Sequence, residues 1–188
     1  MSQPISNQND AVDTSFRKFE ALLKDVADFG ETLFTESDSR IKIIDSVLID
    51  VLGWHKSQIS TSEQAGPGFL DYKLSIGNLA KVIVEAKRES RPFDLKSREC
   101  GGAFQLSGPI FRNADLQEGI EQAVRYSAHK GAELACVTNG REWIVFRSNR
   151  LGDGLDVLSG KAFVFPSLEC IRDWACFGKT DREVGTFG

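Results

Sequence analysis

The chain has 188 residues, of which 41% are apolar and 27% are charged, which is typical of one soluble globular domain and excludes a disordered chain. No apolar run approaches the roughly 20 residues that cross a bilayer, and the first residues lack the basic start and apolar core of a signal peptide, so the expected location is the cytoplasm. The formal net charge of −4 counts mildly against a nucleic-acid-binding domain, because such domains are more often basic.

The N-terminal part of the chain predicts a polar arm followed by an amphipathic helix. Residues 1–15 are polar and are predicted to form a flexible arm. From Phe16 to Phe29 apolar residues recur every three or four positions, as they do on one face of a helix. Gly30 is a typical residue at the end of such a helix.

A second helix is predicted from Thr35 to Gly53. Its apolar stripe consists of Ile41, Ile44, Val47, Leu48, Val51 and Leu52. Glu36 lies in the first turn, where the helix dipole stabilises a carboxylate, so a purely structural role is one interpretation of this residue. After this helix, Ile59–Ser62 is predicted to be extended and Ala65–Gly68 to form a turn.

The segment Phe69–Arg88 is predicted to be a β-hairpin that turns at Gly77-Asn78. Its first strand carries Asp71, and its second strand carries Glu85 and Lys87, which point to the same face because they are two residues apart. Burying an isolated charge is costly, so three ionisable groups in apolar strands require a reason. A divalent metal between Asp71 and Glu85 supplies one. A surface ion-pair cluster is the alternative.

Residues 89–114 interrupt this regular pattern and are rich in glycine and proline. Their length favours some internal structure, and a short helix or an additional hairpin is expected around Ala103–Leu106. Basic side chains beside the hairpin would suit contacts with phosphate, whereas a solvated insertion is the alternative, since acidic residues dilute the charge. The basic residues are Arg91, Lys96, Arg98 and Arg112.

A helix is predicted over Asp115–His129, and Gly131 is expected to cap it. Gln122 and Tyr126 share one of its faces, because they are four residues apart. Asn139-Gly140 predicts a two-residue turn between two strands. The remaining strands and the last helix are predicted at Glu133–Thr138, Glu142–Arg147, Ala162–Phe165 and Ser167–Trp174.

The order of these elements predicts an α/β fold with a central mixed β-sheet flanked by helices. There is no P-loop and no G-x-G-x-x-G motif, which leaves nucleotide-binding folds without support. The cysteines form no C-x-x-C pair, and His55 and His129 are the only histidines, so a structural zinc site is disfavoured. Unpaired cysteines fit a reducing compartment, and Cys136, in an apolar strand, is interpreted as a core residue.

Asp71 followed by Glu85-Ala86-Lys87 resembles the D…(D/E)xK signature of the PD-(D/E)XK nuclease superfamily. The wider pattern resembles the N-terminal nuclease domain of type I restriction endonuclease subunits. A lone E-x-K is common by chance, but the matching pieces occur in the order of the family over roughly residues 31–147. They are Thr35-Glu36, Leu52-Gly53-Trp54, Asp71-Tyr72, Val84-Glu85-Ala86-Lys87-Arg88, Gln122-Ala123-x-x-Tyr126 and Thr138-Asn139-Gly140-x-x-Trp143. The chain departs from the signature at Leu70, where the signature has proline before the aspartate.

The resemblance implies a restriction-endonuclease-like core and a metal site. Asp71, Glu85 and the backbone carbonyl of Ala86 would hold Mg²⁺, because oxygen ligands suit a hard cation, and Mn²⁺ can substitute for it. Glu36 would orient the water shell of the metal or help to bind a second ion.

The resemblance also implies roles in catalysis and in DNA contact. Lys87 would stabilise charge beside the attacking water or the phosphate. Gln122 would contact phosphate or sugar, although a solvent-facing helix residue is the alternative. Arg88, Arg91 and Tyr126 are further expected contacts with nucleic acid.

The function expected from this resemblance is that of an endonuclease that hydrolyses DNA and serves as the effector domain of a restriction or anti-phage defence system. The nuclease-like domain is expected over residues 16–177, followed by a tail or linker over 178–188. The expected partners are DNA and an ATPase or sensor module in the same or another chain, with a homo-oligomer also expected and no membrane. The alternative is a non-catalytic module of the same fold that binds nucleic acid or serves in assembly.

Overall fold

A computed structural model of the chain describes residues 6–28, 40–88, 92–95, 100–149, 154 and 156–172. Glu36, Arg91, Cys176 and the predicted tail lie outside these ranges. In chain order the helices and strands are α1 (Ser6–Asp28), two π-helical runs (Arg40–Ile44 and Ser46–Val51), β1 (Ile59–Ala65), β2 (Gly68–Ile76), β3 (Leu79–Ala86), β4 (Gly102–Gln105), α2 (Ala114–Lys130), β5 (Leu134–Thr138), β6 (Trp143–Arg147) and β7 (Lys161–Phe165). Short 3₁₀ turns occur at Lys56–Gln58, Pro109–Phe111, Val157–Ser159 and Glu169–Arg172.

The strands form one mixed seven-stranded sheet in the order β1-β2-β3-β5-β6-β7-β4, and helices flank it, as the sequence predicts. The two central strands β3 and β5 run parallel, and every other neighbouring pair is antiparallel. Parallel neighbours need a crossover connection, and α2 lies within it, packed against β3 and β5. The sheet therefore has a βαβ unit at its centre and the predicted β2–β3 hairpin beside that unit.

Helix α1 starts at Ser6 rather than near Phe16, so part of the segment predicted as an arm is helical. The predicted start at Phe16 is set by the apolar stripe, and the first ten residues of the helix do not belong to that stripe. Between Ser6 and Asp28 there is no glycine or proline to stop the helix earlier. Its buried side chains are Phe19, Leu22, Leu23 and Val26.

The predicted second helix is wound almost entirely as a π-helix in its described part, with the amide of Leu52 bonded to the carbonyl of Val47. Its buried side chains are Ile43, Ile44, Val47, Leu48 and Val51. These buried positions are spaced four residues apart, which suits the wide turn of a π-helix. Leu52, which is predicted to belong to the apolar stripe, is exposed. The helix ends before Gly53, whose φ of 75° lies in the left-handed region that glycine adopts easily.

Around Ala103–Leu106, where a short helix or an additional hairpin is expected, the insertion after β3 forms strand β4. Strand β4 pairs antiparallel with β7 at the far edge of the sheet, with Ala103 opposite Phe163. A partner so distant along the chain leaves no local signal in the sequence. The 3₁₀ turn Pro109–Phe111 follows and leads into α2.

Helix α2 confirms the predicted helix to within a residue at each end. The side chain of Asn113 caps its first turn by accepting a hydrogen bond from the amide of Leu116 at 3.1 Å. Gly131, with φ of 68°, ends it as expected.

The connection between β5 and β6 is longer than the predicted two-residue turn. Strand β6 begins at Trp143 rather than Glu142. The side-chain oxygen of Asn139 accepts the amides of Arg141 and Glu142 at 3.1 and 2.8 Å, which widens the turn. The last predicted helix is a 3₁₀ turn over Glu169–Arg172, and Trp174 lies outside the described residues.

Apolar side chains cover both faces of the sheet. On one face α1 and the π-helix pack against residues such as Tyr72, Val84 and Phe165, and on the other α2 packs against residues such as Val137. Cys136 is 4% exposed and lies in the core, as predicted, and this burial raises the pKa of its thiol to about 12. Among the helices in the described ranges, none combines the length and the apolar character that a membrane crossing requires.

Candidate active site

The hairpin of β2 and β3 brings Asp71 beside the peptide that joins Glu85 to Ala86. The last paired residues at this end of the hairpin are Tyr72 and Val84, so Asp71 and Glu85 follow one step further along the two strands. The amide of Ala86 donates to Oδ2 of Asp71 at 2.8 Å. The carboxylate of Asp71 is therefore fixed against the next strand by a backbone donor.

Glu85 and Lys87 lie together, as their spacing in the strand predicts. The ammonium Nζ of Lys87 donates to Oε1 of Glu85 at 3.1 Å. Only 6% of Glu85 is exposed, although the residue is charged. A buried acid needs a charged or hydrogen-bonding partner, and Lys87 is such a partner for Glu85.

Helix α2 supplies a second partner for the lysine. Oε1 of Gln122 accepts a hydrogen bond from Nζ of Lys87 at 2.6 Å, and Nε2 of Gln122 donates to Glu118 at 3.2 Å. The amide of Gln122 is thus oriented at both ends, with its oxygen turned toward the lysine. This places Gln122 at the site rather than in bulk solvent.

Gly119 allows α2 to approach the site this closely. A Cβ at this position would lie 2.8 Å from Cγ1 of Val137 and 3.2 Å from Cε of Lys87. The stem of Lys87 therefore runs directly beneath the backbone of α2. Sequence reasoning missed this residue, although a glycine within a helical pattern is a signal for close packing.

Arg40, in the first π-helical run, is a further member of the site that sequence reasoning missed. Its Nη1 donates to Oδ1 of Asp71 at 3.1 Å, and its Nη2 donates to the backbone oxygen of Asp71 at 3.2 Å. The guanidinium also lies over the ring of Tyr72, 4.9 Å from the ring centre. Its spacing of four residues from Glu36 in a predicted helix was an available signal, because such residues share a face.

The described donors fit a hard divalent cation. Asp71 and Glu85 provide carboxylate oxygens on neighbouring strands, and no sulfur or imidazole ligand is needed. The amide of Ala86 faces Asp71, whereas the amide of Lys87 donates to Thr138 of β5 at 2.7 Å. In a strand the N–H and C=O of one residue face the same neighbour, so the carbonyl of Ala86 is expected on the side of Asp71.

Within the described ranges, no group of three or more histidine, cysteine, aspartate or glutamate side chains is arranged to hold a metal. The third predicted acid of this site, Glu36, lies outside those ranges. The described donor set therefore consists of two acidic side chains and main-chain oxygen.

The residues predicted to contact nucleic acid differ in their environment. Arg88 is exposed directly after β3, and Arg91 lies outside the described residues. Tyr126 is 5% exposed and packs with Leu70 and Ile83, and a Cβ on Gly68 would lie 2.6 Å from its hydroxyl. Packing is thus the role that its surroundings support, and its contact with nucleic acid stays a prediction.

Glu142 is a second buried acid close to this end of the sheet, which sequence reasoning treated only as part of a strand. It is 9% exposed, and its oxygens accept the amides of Phe93 and Leu95 at 2.6 and 3.3 Å and Nδ2 of Asn139 at 2.7 Å. Glu142 thereby anchors the segment that follows the site strand.

Comparison of the chain with protein-family models, with curated proteins and with solved structures finds no match. A fold alone does not define an activity, so the chemistry of the site and the order of its motifs are the guides to function.

Proposed function

We propose that this chain is a Mg²⁺-dependent endonuclease that hydrolyses phosphodiester bonds of DNA and serves as the effector domain of a restriction or anti-phage defence system. The proposal includes a restriction-endonuclease-like core of the PD-(D/E)XK superfamily. The observation that carries it is the meeting of Asp71, Glu85 and Lys87 at one end of β2 and β3, with Gln122 reaching them from α2.

The topology supports a ligand site at this position. Asp71 and Glu85–Lys87 lie at the carboxyl end of β3, beside its parallel neighbour β5 and under the crossover helix α2. In open α/β sheets ligands bind outside the carboxyl ends of the strands. Glu85 and Lys87 therefore lie at the end of the sheet where ligands bind in this architecture.

Asp71, Glu85 and the carbonyl of Ala86 would hold the cation, with Mn²⁺ able to replace Mg²⁺. When bound, the ion supplies positive charge for the scissile phosphate and lowers the pKa of a bound water. The amide of Ala86 holds one oxygen of Asp71, so this carboxylate has a fixed orientation before any cation arrives.

Lys87 is the described group best suited to handle charge at the reacting phosphate. Its stem is confined beneath Gly119, and its ammonium is shared between Glu85 and Gln122. A preoriented ammonium stabilises developing negative charge without reorganisation, and it can also hold a proton near the attacking water. Gln122 acts here through Lys87, because its oxygen fixes the position of Nζ.

The non-catalytic alternative draws on one specific observation. Both site carboxylates already have a cation against them, Arg40 for Asp71 and Lys87 for Glu85. An ion-pair cluster of this kind can stabilise a fold or an assembly surface without a metal.

A plasmid assay separates the two functions. The purified chain is incubated with supercoiled and linear DNA and Mg²⁺ or Mn²⁺, and Asp71→Ala, Glu85→Ala and Lys87→Ala are each compared with the wild type. We expect each substitution to reduce cleavage by on the order of a thousandfold, since each removes a preorganised charge. Lys81→Ala, on the same strand as Glu85 but outside the site, is the matched control and should cleave as the wild type does. Nicking that survives all three site substitutions would contradict the proposal.

A further inference from the structure

We infer that Arg40 couples cation binding to the binding of a nucleic-acid phosphate at this site. In this role it neutralises Asp71 before the cation arrives and turns to the phosphate afterwards. The inference rests on the proposed nuclease function and adds Arg40, which is not part of the nuclease signature, to the groups that act at the site.

Arg40 is held on the very residue that would bind the cation. Its two terminal nitrogens contact Oδ1 and the backbone oxygen of Asp71 at 3.1 and 3.2 Å, and its plane lies over the ring of Tyr72. Arg40 thus forms a direct ion pair with Asp71, and the carboxylate of Asp45 lies near the same tyrosine.

The charges of the described site explain why a cation and a phosphate should bind together. Asp71 and Glu85 carry two negative charges, and Arg40 and Lys87, each 3.1 Å from one of them, carry two positive charges. A divalent cation that binds to these two carboxylates meets the two positive charges of Arg40 and Lys87 at close range, which disfavours its binding. An anion that binds at the same time removes this repulsion.

Arg40 is better suited than Lys87 to accept that anion. Gly119 and Gln122 confine the stem and the ammonium of Lys87, whereas 22% of the Arg40 side chain is exposed. The planar guanidinium also matches two phosphate oxygens in a bidentate contact. Arg40 can therefore exchange the carboxylate of Asp71 for a phosphate without leaving the site.

Calorimetry with Ca²⁺ as the probe, in the absence and presence of a short DNA duplex, tests this coupling. Ca²⁺ prefers the same oxygen ligands, and a gel confirms that the duplex stays intact. In the wild type we expect the duplex to tighten Ca²⁺ binding by about tenfold or more, which is about 1.4 kcal/mol of coupling.

Substitution of Arg40 should weaken the coupling between Ca²⁺ and DNA, and it should do so by tightening Ca²⁺ binding in the absence of DNA. Without DNA, Arg40→Gln should bind Ca²⁺ about tenfold more tightly than the wild type, and the duplex should then add less than about threefold. Arg40→Lys keeps the charge and should retain weak Ca²⁺ binding without DNA. Lys42→Gln removes an exposed cation from the same π-helical run and should match the wild type. Thermal unfolding and circular dichroism verify that each variant is folded.

Two results would overturn the inference while leaving the proposed function intact. If Arg40→Gln weakens Ca²⁺ binding without DNA, Arg40 only orients Asp71. If the duplex tightens binding equally in the wild type and in Arg40→Gln, another group provides the coupling. Failure of the proposed function looks different, because Asp71→Asn and Glu85→Gln would then leave Ca²⁺ affinity unchanged with and without DNA.

Discussion

Two buried acids near one end of the same sheet, Glu142 and Glu85, have opposite kinds of partners. Glu142 is 9% exposed, and two backbone amides and the side-chain amide of Asn139 hold it. Glu85 is 6% exposed, and it accepts a hydrogen bond from the ammonium of Lys87, which also donates to Gln122.

The kind of donor distinguishes an acid that stabilises the fold, Glu142, from an acid that is suited to bind a ligand, Glu85. Backbone donors are fixed by the fold and cannot leave, so Glu142 stabilises the segment 92–95 and has no freedom to bind another ligand. The ammonium of Lys87 contacts one oxygen of Glu85, and a carboxylate can share a side-chain donor with a cation, so Glu85 can take part in binding a metal. The two acids are buried to a similar extent, so burial does not distinguish their roles, whereas the groups that donate hydrogen bonds to them do.

The largest effect on stability is expected for Glu142→Gln. The amide NH₂ would face the N–H groups of Phe93 or Leu95, and this conflict should lower the free energy of unfolding by about 3 kcal/mol. Glu85→Gln keeps an acceptor for Lys87 and should cost about 1 kcal/mol. Urea unfolding of both variants measures the contrast. If Glu85→Gln lowered the free energy of unfolding more than Glu142→Gln does, the assignment of Glu142 as the structural acid would be wrong.

Gln122→Ala should reduce DNA cleavage by about tenfold with little change in stability, because Lys87 loses the acceptor that fixes its ammonium. Initial rates at saturating DNA, together with a urea unfolding curve, separate the two effects. Gln117→Ala, an exposed glutamine on the same helix, is the matched control. If both variants cleave as the wild type does, Gln122 has no part in the mechanism.

Gly119→Ala should lower stability by about 1 kcal/mol, since the clash with Val137 exceeds the gain in helix propensity. The methyl group also presses on the stem of Lys87, so cleavage should fall as well. Val137→Ala makes room for it, and the double variant should recover part of the stability that the two single variants lose. Purely additive losses would show that α2 does not approach the sheet this closely.

The smallest effect is expected at Glu63, an ion-paired acid at the surface between β1 and α2. The hydrogen bond from Lys130, with a second from Lys73, lowers the pKa of this carboxyl. A lowered folded pKa adds stability above the unfolded pKa, and this stability is lost as the pH falls through the folded value. Glu63→Gln should therefore cost up to about 1 kcal/mol at neutral pH and nothing in strong acid. A cost that persists in acid would assign the effect to packing.

Local patterns in the sequence predicted the parts of the site that depend on near neighbours. Strand alternation placed Glu85 and Lys87 on one face, and the cap at Gly131 helped to define the helix that carries Gln122. Both follow from periods and turn chemistry that are visible within a few residues.

The parts that the sequence did not predict depend on contacts between distant residues. Arg40 pairs with Asp71, and Glu142 accepts a hydrogen bond from the amide of Phe93. Both contacts join segments that are far apart in the sequence, so no local pattern predicts them. Strand β4 likewise finds its partner in β7, across most of the second half of the chain. The π winding at Arg40–Ile44 was missed because an apolar stripe of three- and four-residue steps does not distinguish it from an α-helix.

Crystals grown with Mn²⁺, measured at a wavelength that gives anomalous scattering from manganese, test the cation pocket most directly. We predict one anomalous peak within bonding distance of the carboxylates of Asp71 and Glu85, lost in Glu85→Gln, and none at Glu142. A manganese ion bound elsewhere, with these two carboxylates still paired to Arg40 and Lys87, would contradict the account.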